Sequence, residues 1–204
     1  MRNRVVPVNP GTVNQLARRQ LLTALSQGFR ALSNAQRLGW ANLGAQIQRL
    51  DSLGQPYTLS GAQAYNSVNF YRVLAGSAII ADAPPFDAPT TLLTLTLTAS
   101  SIALSLAFTP TPLGANNRLV IFATPNQSAG KNFFGHPGVP AQSPGLYKLI
   151  VIAAAASASP QNILAAYTAL VGPPITGMKI SAQAFVLSPN FLPGAPLRSD
   201  AIVT

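Results

Sequence analysis

The 204-residue sequence has no cysteine, no glutamate and one histidine, His136, and its acids are four aspartates, Asp51, Asp82, Asp87 and Asp200. Zinc sites need several cysteine or histidine ligands, and thiol catalysis needs a cysteine. Paired-carboxylate chemistry needs two acids that meet, and these four are scattered along the chain. The histidine has no acid near it in sequence and no G-x-S-x-G turn to serve, so it is predicted to be an ordinary loop residue. We therefore expect no enzyme activity, no metal, no cofactor and no small-molecule substrate.

Charge of either sign is scarce, since charged residues make up 8% of the chain against about a quarter in an ordinary soluble protein. The net charge of +9 is concentrated at the front. Residues 1–76 carry eight arginines and one aspartate, whereas residues 77–204 carry five basic and three acidic residues. A hydrophobic fraction of 48% is enough for a folded core. So few charges give weak protection against self-association, as is typical of subunits of larger assemblies.

Up to residue 76 the apolar side chains recur at helical spacing, which predicts three helices. The second and third helices each begin at a capping box, Ser33 with Gln36 and Ser60 with Gln63. Gly76 stands where a glycine would end the third helix. The apolar faces of the first two helices are formed by Val13, Leu16, Ala17, Leu21, Ala24, Leu25, Phe29 and Leu32, and by Trp40, Leu43, Ile47 and Leu50.

Beyond the helices the pattern changes to strict alternation. Apolar residues alternate with small or hydroxyl-bearing ones over 93–98 and 102–108, which predicts a hairpin through the short turn 99–101. Further strands are predicted at 118–124, 146–153, 178–187 and 196–203, and a short helix at 163–170. The predicted fold class is α+β: a basic helical module at 1–76, a proline- and aspartate-containing linker at 77–90, and an antiparallel β-sandwich at 91–204.

Two segments carry a resemblance to known proteins. The pattern Leu32-Ser-x-Ala-Gln-Arg37-x-x-Trp40, followed by Tyr57-Thr-Leu-Ser-Gly61-x-x-Ala64-Tyr65-x-x-Val68-Asn69-x-x-Arg72, resembles the helical front of uncharacterised phage-type structural proteins. Ala165-Ala-Tyr167 and Gly177-Met-Lys-Ile180 are similar to the back half of those proteins, so the resemblance covers roughly residues 25–203. It implies that the second domain is immunoglobulin-like or fibronectin-III-like. It carries no established activity and implies a structural setting in a virion.

Aromatic side chains are the candidate contacts between subunits. The third helix is apolar nearly all round, which predicts burial within the subunit or against a neighbouring copy. The loop 125–145 is long for a compact domain, and its paired phenylalanines are expected either to anchor a neighbour or to cover one end of their own sandwich. Trp40 lies on an apolar stripe and also suits the core of its own subunit. The candidate subunit contacts are Trp40, Tyr65, Phe70, Tyr71, Phe133 and Phe134.

The other marked feature of residues 1–76 is that all of their basic residues are arginines. Such a set suits contacts with a polyanion or an acidic partner surface, although it also suits simple solubility. No helix-turn-helix or RNA-binding signature is present, so any nucleic-acid contact is expected to be non-specific. The candidate residues are Arg2, Arg4, Arg18, Arg19, Arg30 and Arg37.

These observations favour a non-enzymatic structural assembly protein, acting in many copies and most specifically a phage virion component: a capsid-decorating, head or tail protein. The expected partners are further copies of the chain and other virion structural proteins. The alternative is a nucleic-acid-binding accessory protein that uses the arginine-rich helices. No segment has the composition of a secretion signal or a membrane span, so the expected location is the virion, or the cytoplasm if the protein is not phage-encoded, with no membrane partner.

Overall fold

The computed structural model describes residues 13–51, 53–131 and 147–204. The fold is α+β, and the described residues form four helices and antiparallel sheets that do not close into a barrel. The chain divides into two compact units, Met1–Pro85 and Phe86–Thr204, called here the helical unit and the β unit. The division falls inside the segment 77–90, whose composition predicts a linker.

In the helical unit, α1 spans Val13–Ala31, α2 spans Asn34–Gln46 and α3 spans Gly61–Leu74. The side chains of Ser33 and Ser60 accept hydrogen bonds from the third residue of α2 and of α3, and both capping boxes are present as predicted. After α3 the chain turns at Gly76, whose φ of 75° suits glycine. The amide of Ser77 donates to the carbonyl of Arg72 and that of Gly76 to the carbonyl of Val73, which completes a Schellman motif.

Between α2 and α3 the chain forms a hairpin that the periodicity did not predict. Strand β1 (Gln48–Leu50) pairs antiparallel with β2 (Pro56–Thr58). The helical stripe ending at Leu50 is therefore wrong beyond α2, where Ile47 already has an extended backbone. In the turn, one carboxylate oxygen of Asp51 accepts the backbone N–H groups of Leu53 and Gln55, both at 2.8 Å.

The helical unit has a core built on Trp40 and Tyr65. Their rings meet edge to face with centroids 5.2 Å apart, and the ring of Phe29 on α1 lies 5.5 Å from Tyr65. Trp40 is completely buried and Tyr65 is 2% exposed. Other apolar residues buried in this unit are Leu25, Leu43, Ile47, Leu59, Ala64 and Val68.

The β unit contains seven strands and one helix among its described residues. A three-stranded sheet has the order β3–β4–β7, and a four-stranded sheet has the order β6–β5–β8–β9, with every pairing antiparallel. The strands are β3 (Thr94–Ala99), β4 (Leu104–Thr109), β5 (Arg118–Ala123), β6 (Lys148–Ile152), β7 (Gln161–Asn162), β8 (Lys179–Leu187) and β9 (Leu197–Ile202), and α4 is Leu164–Val171.

Both sheets contribute to one apolar core. Alternate residues of β4, Leu104, Leu106 and Phe108, are buried with alternate residues of β5 and β8 from the other sheet. The predicted hairpin is present, with Leu97 opposite Leu106 and Thr98 opposite Ser105. The short β7 lies in a stretch with no predicted strand.

No described helix is both long and apolar enough to cross a membrane.

The first stability prediction concerns the close contact between α2 and the residues at the start of α3. A Cβ at Gly44 would overlap the carbonyl oxygen of Leu59, so Gly44→Ala forces the two segments apart. We expect a loss of about 1–3 kcal/mol in the free energy of unfolding, which is typical of overpacking. Urea denaturation followed by the fluorescence of Trp40, the only tryptophan in the sequence, reports on this unit.

The matched control is Gly39→Ala in the same helix, where a Cβ would lie 3.6 Å from the nearest side chain, an ordinary contact. Alanine at this position should be neutral or stabilising because it is the better helix former. Equal effects of the two substitutions would contradict this close contact.

Candidate functional site

The helices of the helical unit bind the segment that follows α3. Residues 78–82 are called here the strap, and the amide side chain of Asn69 forms two hydrogen bonds with their backbone. Its Nδ2 donates to the carbonyl of Ile80 at 3.1 Å, and its Oδ1 accepts the N–H of Ile80 at 2.9 Å. Asn69 is completely buried, so these bonds satisfy polar atoms that cannot reach water.

Three more side chains bind the strap. Trp40 Nε1 donates to the carbonyl of Ala81 at 2.7 Å, and Arg72 Nε donates to the carbonyl of Ala78 at 2.8 Å. Gln36 Nε2 donates to Asp82 Oδ1 at 3.0 Å. The first part of the predicted linker is therefore bound to the helical unit, mainly through its backbone.

Trp40 and Tyr65 belong to this core, which corrects their prediction as subunit contacts. Their rings pack on each other inside the helical unit and leave almost no surface for a neighbouring copy. Burial also raises the pKa of Tyr65. The other reading of Trp40, as a core residue, agrees with the structure.

Phe70 and Tyr71 are half-buried on another face of α3, flanked by arginines. The guanidinium of Arg18 lies 5.4 Å from the centre of the Phe70 ring, and the rings of Phe70 and Tyr71 meet edge to face at 5.6 Å. Arg49 Nη2 donates to the hydroxyl of Ser67 on α3 at 3.3 Å. Burial raises the pKa of Tyr71, although the charges of Arg49 and Arg18 oppose the rise.

The described residues of the predicted polyanion set lie on α1 and α2. Arg18 packs on Phe70, and the guanidinium of Arg37 donates to the carbonyl of Arg30, which joins the end of α1 to α2. Arg19 and Arg30 lie exposed on one face of α1, as the eleven-residue spacing predicts. Arg2 and Arg4 lie outside the described residues, as do Phe133, Phe134 and His136.

Exposed apolar side chains on the β1–β2 hairpin were missed by the sequence reasoning. Leu50 is 64% exposed, Leu53 at the turn 82% and Tyr57 43%. Both strands of this hairpin face solvent along nearly their whole length. The sequence signal for this exposure was an apolar residue, Leu53, in a segment where Asp51 and Gly54 are typical of a turn.

The β unit holds a polar cluster centred on the buried hydroxyl of Ser181. It donates to Asp200 Oδ1 at 2.6 Å, accepts from Arg198 Nε at 3.0 Å and lies 2.7 Å from the Tyr147 hydroxyl. Arg198 Nη2 also pairs with Asp200 Oδ2 at 2.7 Å. Because Ser181 gives its one proton to Asp200, Tyr147 donates to it, and no lone pair of Ser181 remains for a substrate.

The ionisation of Asp200 follows from the same contacts. Burial opposes the charged form, but the hydrogen bonds from Arg198 and Ser181, with the charges of Arg198 and Lys179, outweigh it and lower the pKa. The cluster is thus an ion pair, Arg198 with Asp200, joined to a hydroxyl whose hydrogen-bonding positions are all occupied. It links β8, β9 and Tyr147, the residue preceding β6.

Over residues 13–51, 53–131 and 147–204, no group of three or more histidine, aspartate or glutamate side chains could hold a metal ion. A shallow depression over α4 is lined by Leu164, Ala165, Thr168 and their neighbours, without an ionisable group. Comparison of the chain with protein-family models, curated proteins and solved structures finds no match.

The second prediction tests the two hydrogen bonds between Asn69 and the backbone of Ile80, called here the Asn69 clamp. Asn69→Ala removes both hydrogen bonds to Ile80 and leaves the partly buried N–H and carbonyl groups of Ile80 without these partners, which costs about 1–3 kcal/mol. We expect a loss of that size in the free energy of unfolding followed by Trp40 fluorescence, together with faster amide exchange at Ile80.

Asn42→Ala is the control, because Asn42 is an exposed asparagine on the neighbouring helix α2. It should change stability by less than about 0.5 kcal/mol. Unchanged exchange at Ile80 in Asn69→Ala would show that the clamp does not hold the strap.

Proposed function

We propose that this protein is a non-enzymatic structural subunit that works in many copies, most specifically a virion component such as a capsid-decorating, head or tail protein. The observation that carries the proposal is the exposure of apolar side chains on the β1–β2 hairpin: Leu50 and Leu53, with Tyr57 on the opposite face from Leu50. The resemblance of the helical segments to phage-type structural proteins supports the virion setting.

The hairpin is poorly suited to stand alone in water. A sheet of two strands is marginally stable by itself, and each of its strands presents an outer edge. Exposed apolar side chains on such an element mark an interaction site. A contact that covers Leu50 and Leu53 would remove apolar area from water and order the hairpin.

A second copy of the same chain is the occupant that the charges favour. The carboxylate of Asp51 accepts backbone N–H groups in the turn, and Arg49 donates to Ser67. Both charged groups of the hairpin therefore already have hydrogen-bond partners. A two-fold contact places the same patch on both sides, so apolar surface meets apolar surface. Charged residues make up only 8% of the chain, so few charges need to lose water in such a contact.

The β unit supports a shell or surface role. We infer that it is an immunoglobulin-like or fibronectin-III-like sandwich, because its seven strands form antiparallel sheets of three and four around one core. Its fourth strand in order, β6, pairs with the third, β5, and not with the sheet that contains β3 and β4. This pairing favours the fibronectin-III arrangement over that of a constant immunoglobulin domain.

The third prediction tests the hairpin. The double substitution Leu50→Ser and Leu53→Ser should raise the concentration at which copies associate by about tenfold or more, equivalent to about 1.4 kcal/mol. Size-exclusion chromatography with light scattering over a concentration series measures the midpoint, and negative-stain electron microscopy shows the particles.

Leu93→Ser with Ile102→Ser is the matched control, since these side chains are 74% and 84% exposed but belong to the β unit. The control should assemble like the wild type. A wild-type chain that stays monomeric at high concentration, or equal effects of the two double variants, would overturn the proposal.

A further inference from the structure

We propose that two copies of the chain pair through the outer edge of β1, so that their hairpins form one antiparallel four-stranded sheet across a two-fold axis at Leu50. The strand order of this joint sheet is β2–β1–β1–β2. The inference rests on the proposed assembly of copies through the hairpin and deepens it, because it names the strand edge, the register and the charges that meet.

The outward-pointing groups of β1 follow from the alternation of hydrogen bonds in the hairpin. The amide of Asp51 donates to the carbonyl of Gln55 at 2.9 Å, so these two residues are a bonded pair. Bonded and non-bonded pairs alternate along an antiparallel ladder, so Arg49 also bonds to β2, whereas the N–H and C=O groups of Gln48 and Leu50 point away from it. Among the described turns, loops and caps, no backbone hydrogen bond reaches these outward groups.

The outer edge of β2 is less able to accept a further strand. Pro56 lies at an outward position of β2 and has no N–H, so a strand added there would lack one of its hydrogen bonds. β1 has both an N–H and a C=O at each outward position, and its Leu50 is 64% exposed. An edge with a complete set of unpaired groups is a template for a second strand, which favours β1.

The residues at the end of β1 form a sequence that is its own complement. With Leu50 on the axis of two antiparallel edges, Leu50 faces Leu50 of the other copy, and Arg49 faces Asp51 on both sides. The leucines exchange two backbone hydrogen bonds, and the Arg49–Asp51 pairs take the adjacent non-bonded positions, where side chains lie closest. The order basic, apolar, acidic is matched by a reversed copy of itself, which favours a second copy over an unrelated partner.

The two charges of this sequence keep their sign in the single chain because their contacts are neutral groups. Asp51 Oδ1 accepts two backbone N–H groups of the turn, and Arg49 Nη2 donates to the hydroxyl of Ser67. Within the part of the chain that the structure describes, the one salt bridge joins Arg198 and Asp200 in the β unit. The contacts of Arg49 and Asp51 therefore position the two side chains without neutralising them.

Other registers of the same edge bring incompatible residues together. With Arg49 on the axis, Arg49 lies directly opposite itself, and with Asp51 on the axis the two carboxylates do. Like charges directly opposite each other destabilise a sheet. With Gln48 on the axis, Leu50 would have to pair with Gln46, which belongs to α2. The register centred on Leu50 is the one that avoids all three conflicts.

The first test uses single thiols, since the sequence contains no cysteine. Leu50→Cys places two thiols across the axis with their Cα atoms about 5.5 Å apart, so a short bis-thiol reagent should cross-link the copies above the association midpoint. Gln48→Cys is the control on the same edge. Its two Cα atoms would lie about 14 Å apart along the strands, at 3.4 Å per residue, so it should not cross-link. Thr58→Cys, exposed on β2, should not cross-link either.

The second test removes the charge of Asp51 and keeps its role in the turn. Asp51→Asn retains an oxygen that accepts the turn N–H groups, but it loses the charge that faces Arg49. Loss of the two cross-copy charge pairs should raise the association midpoint by about two- to thirtyfold at low salt. The difference from the wild type should disappear toward about 1 M salt, where the screening length is about 3 Å.

Asp82→Asn is the matched control for charge. It removes the same charge from the same unit and retains an oxygen for the hydrogen bond from Gln36. It should leave the association midpoint unchanged. Equal shifts in Asp51→Asn and Asp82→Asn would indicate net charge alone and would overturn the register.

The outcomes separate the pairing of β1 from assembly itself. Copies that associate without a cross-link at Leu50→Cys, or with a cross-link at Thr58→Cys instead, would overturn the pairing and leave the proposed function standing. A wild-type chain that stays monomeric would overturn both. Light scattering on each cysteine variant establishes that it associates, and if Leu50→Cys does not, the comparison of Asp51→Asn with Asp82→Asn decides.

Discussion

The bidentate hydrogen bond between Asn69 and the backbone of Ile80 is the constraint on which the helical unit depends. It is made by a fully buried side chain and holds the strap at its middle residue, next to Ala81, whose carbonyl accepts from the Trp40 indole. The same indole packs on Tyr65, so the polar clamp and the aromatic core share one residue. Loss of the clamp therefore affects both the strap and the core.

The scarcity of acids explains why the chain is held in this way. In a protein with abundant aspartate and glutamate, arginines commonly pair with carboxylates, but four arginines of the helical unit contact other groups. Arg37 and Arg72 donate to backbone carbonyls, Arg49 donates to a hydroxyl and Arg18 packs on an aromatic ring. Each of these contacts positions the guanidinium without neutralising it. The unit is thereby stabilised and remains strongly positive.

Local signals were readable from the sequence, and non-local ones were not. The capping boxes at Ser33 and Ser60 and the glycine at Gly76 depend on residues within four positions, and all three are present. The alternation over 93–108 likewise predicted β3 and β4, because a half-buried strand repeats every two residues. The seventh strand of the β unit, β7, is two residues long and has no period to detect.

The hairpin and the clamp were missed for physical reasons. Leu50 continues the spacing of α2, but the chain leaves the helix at Ile47, and after the hairpin the amide of Leu59 donates to the carbonyl of Gly44. That contact is between residues 15 apart in the sequence and depends on Gly44 having no side chain. In the sequence, Asn69 is one more polar residue of α3, and no local pattern indicates that it contacts Ile80. The assignment of Trp40 and Tyr65 to subunit contacts failed because an apolar helix face does not reveal which surface covers it.

The proposed assembly has one central claim, that the β1–β2 hairpin of the helical unit becomes covered by another copy when copies associate. Hydrogen exchange measured by mass spectrometry, below and above the association midpoint, tests this directly. The account predicts that peptides covering residues 47–59 gain protection on association, while those covering the turn between β3 and β4 do not. Association without added protection at 47–59 would contradict it.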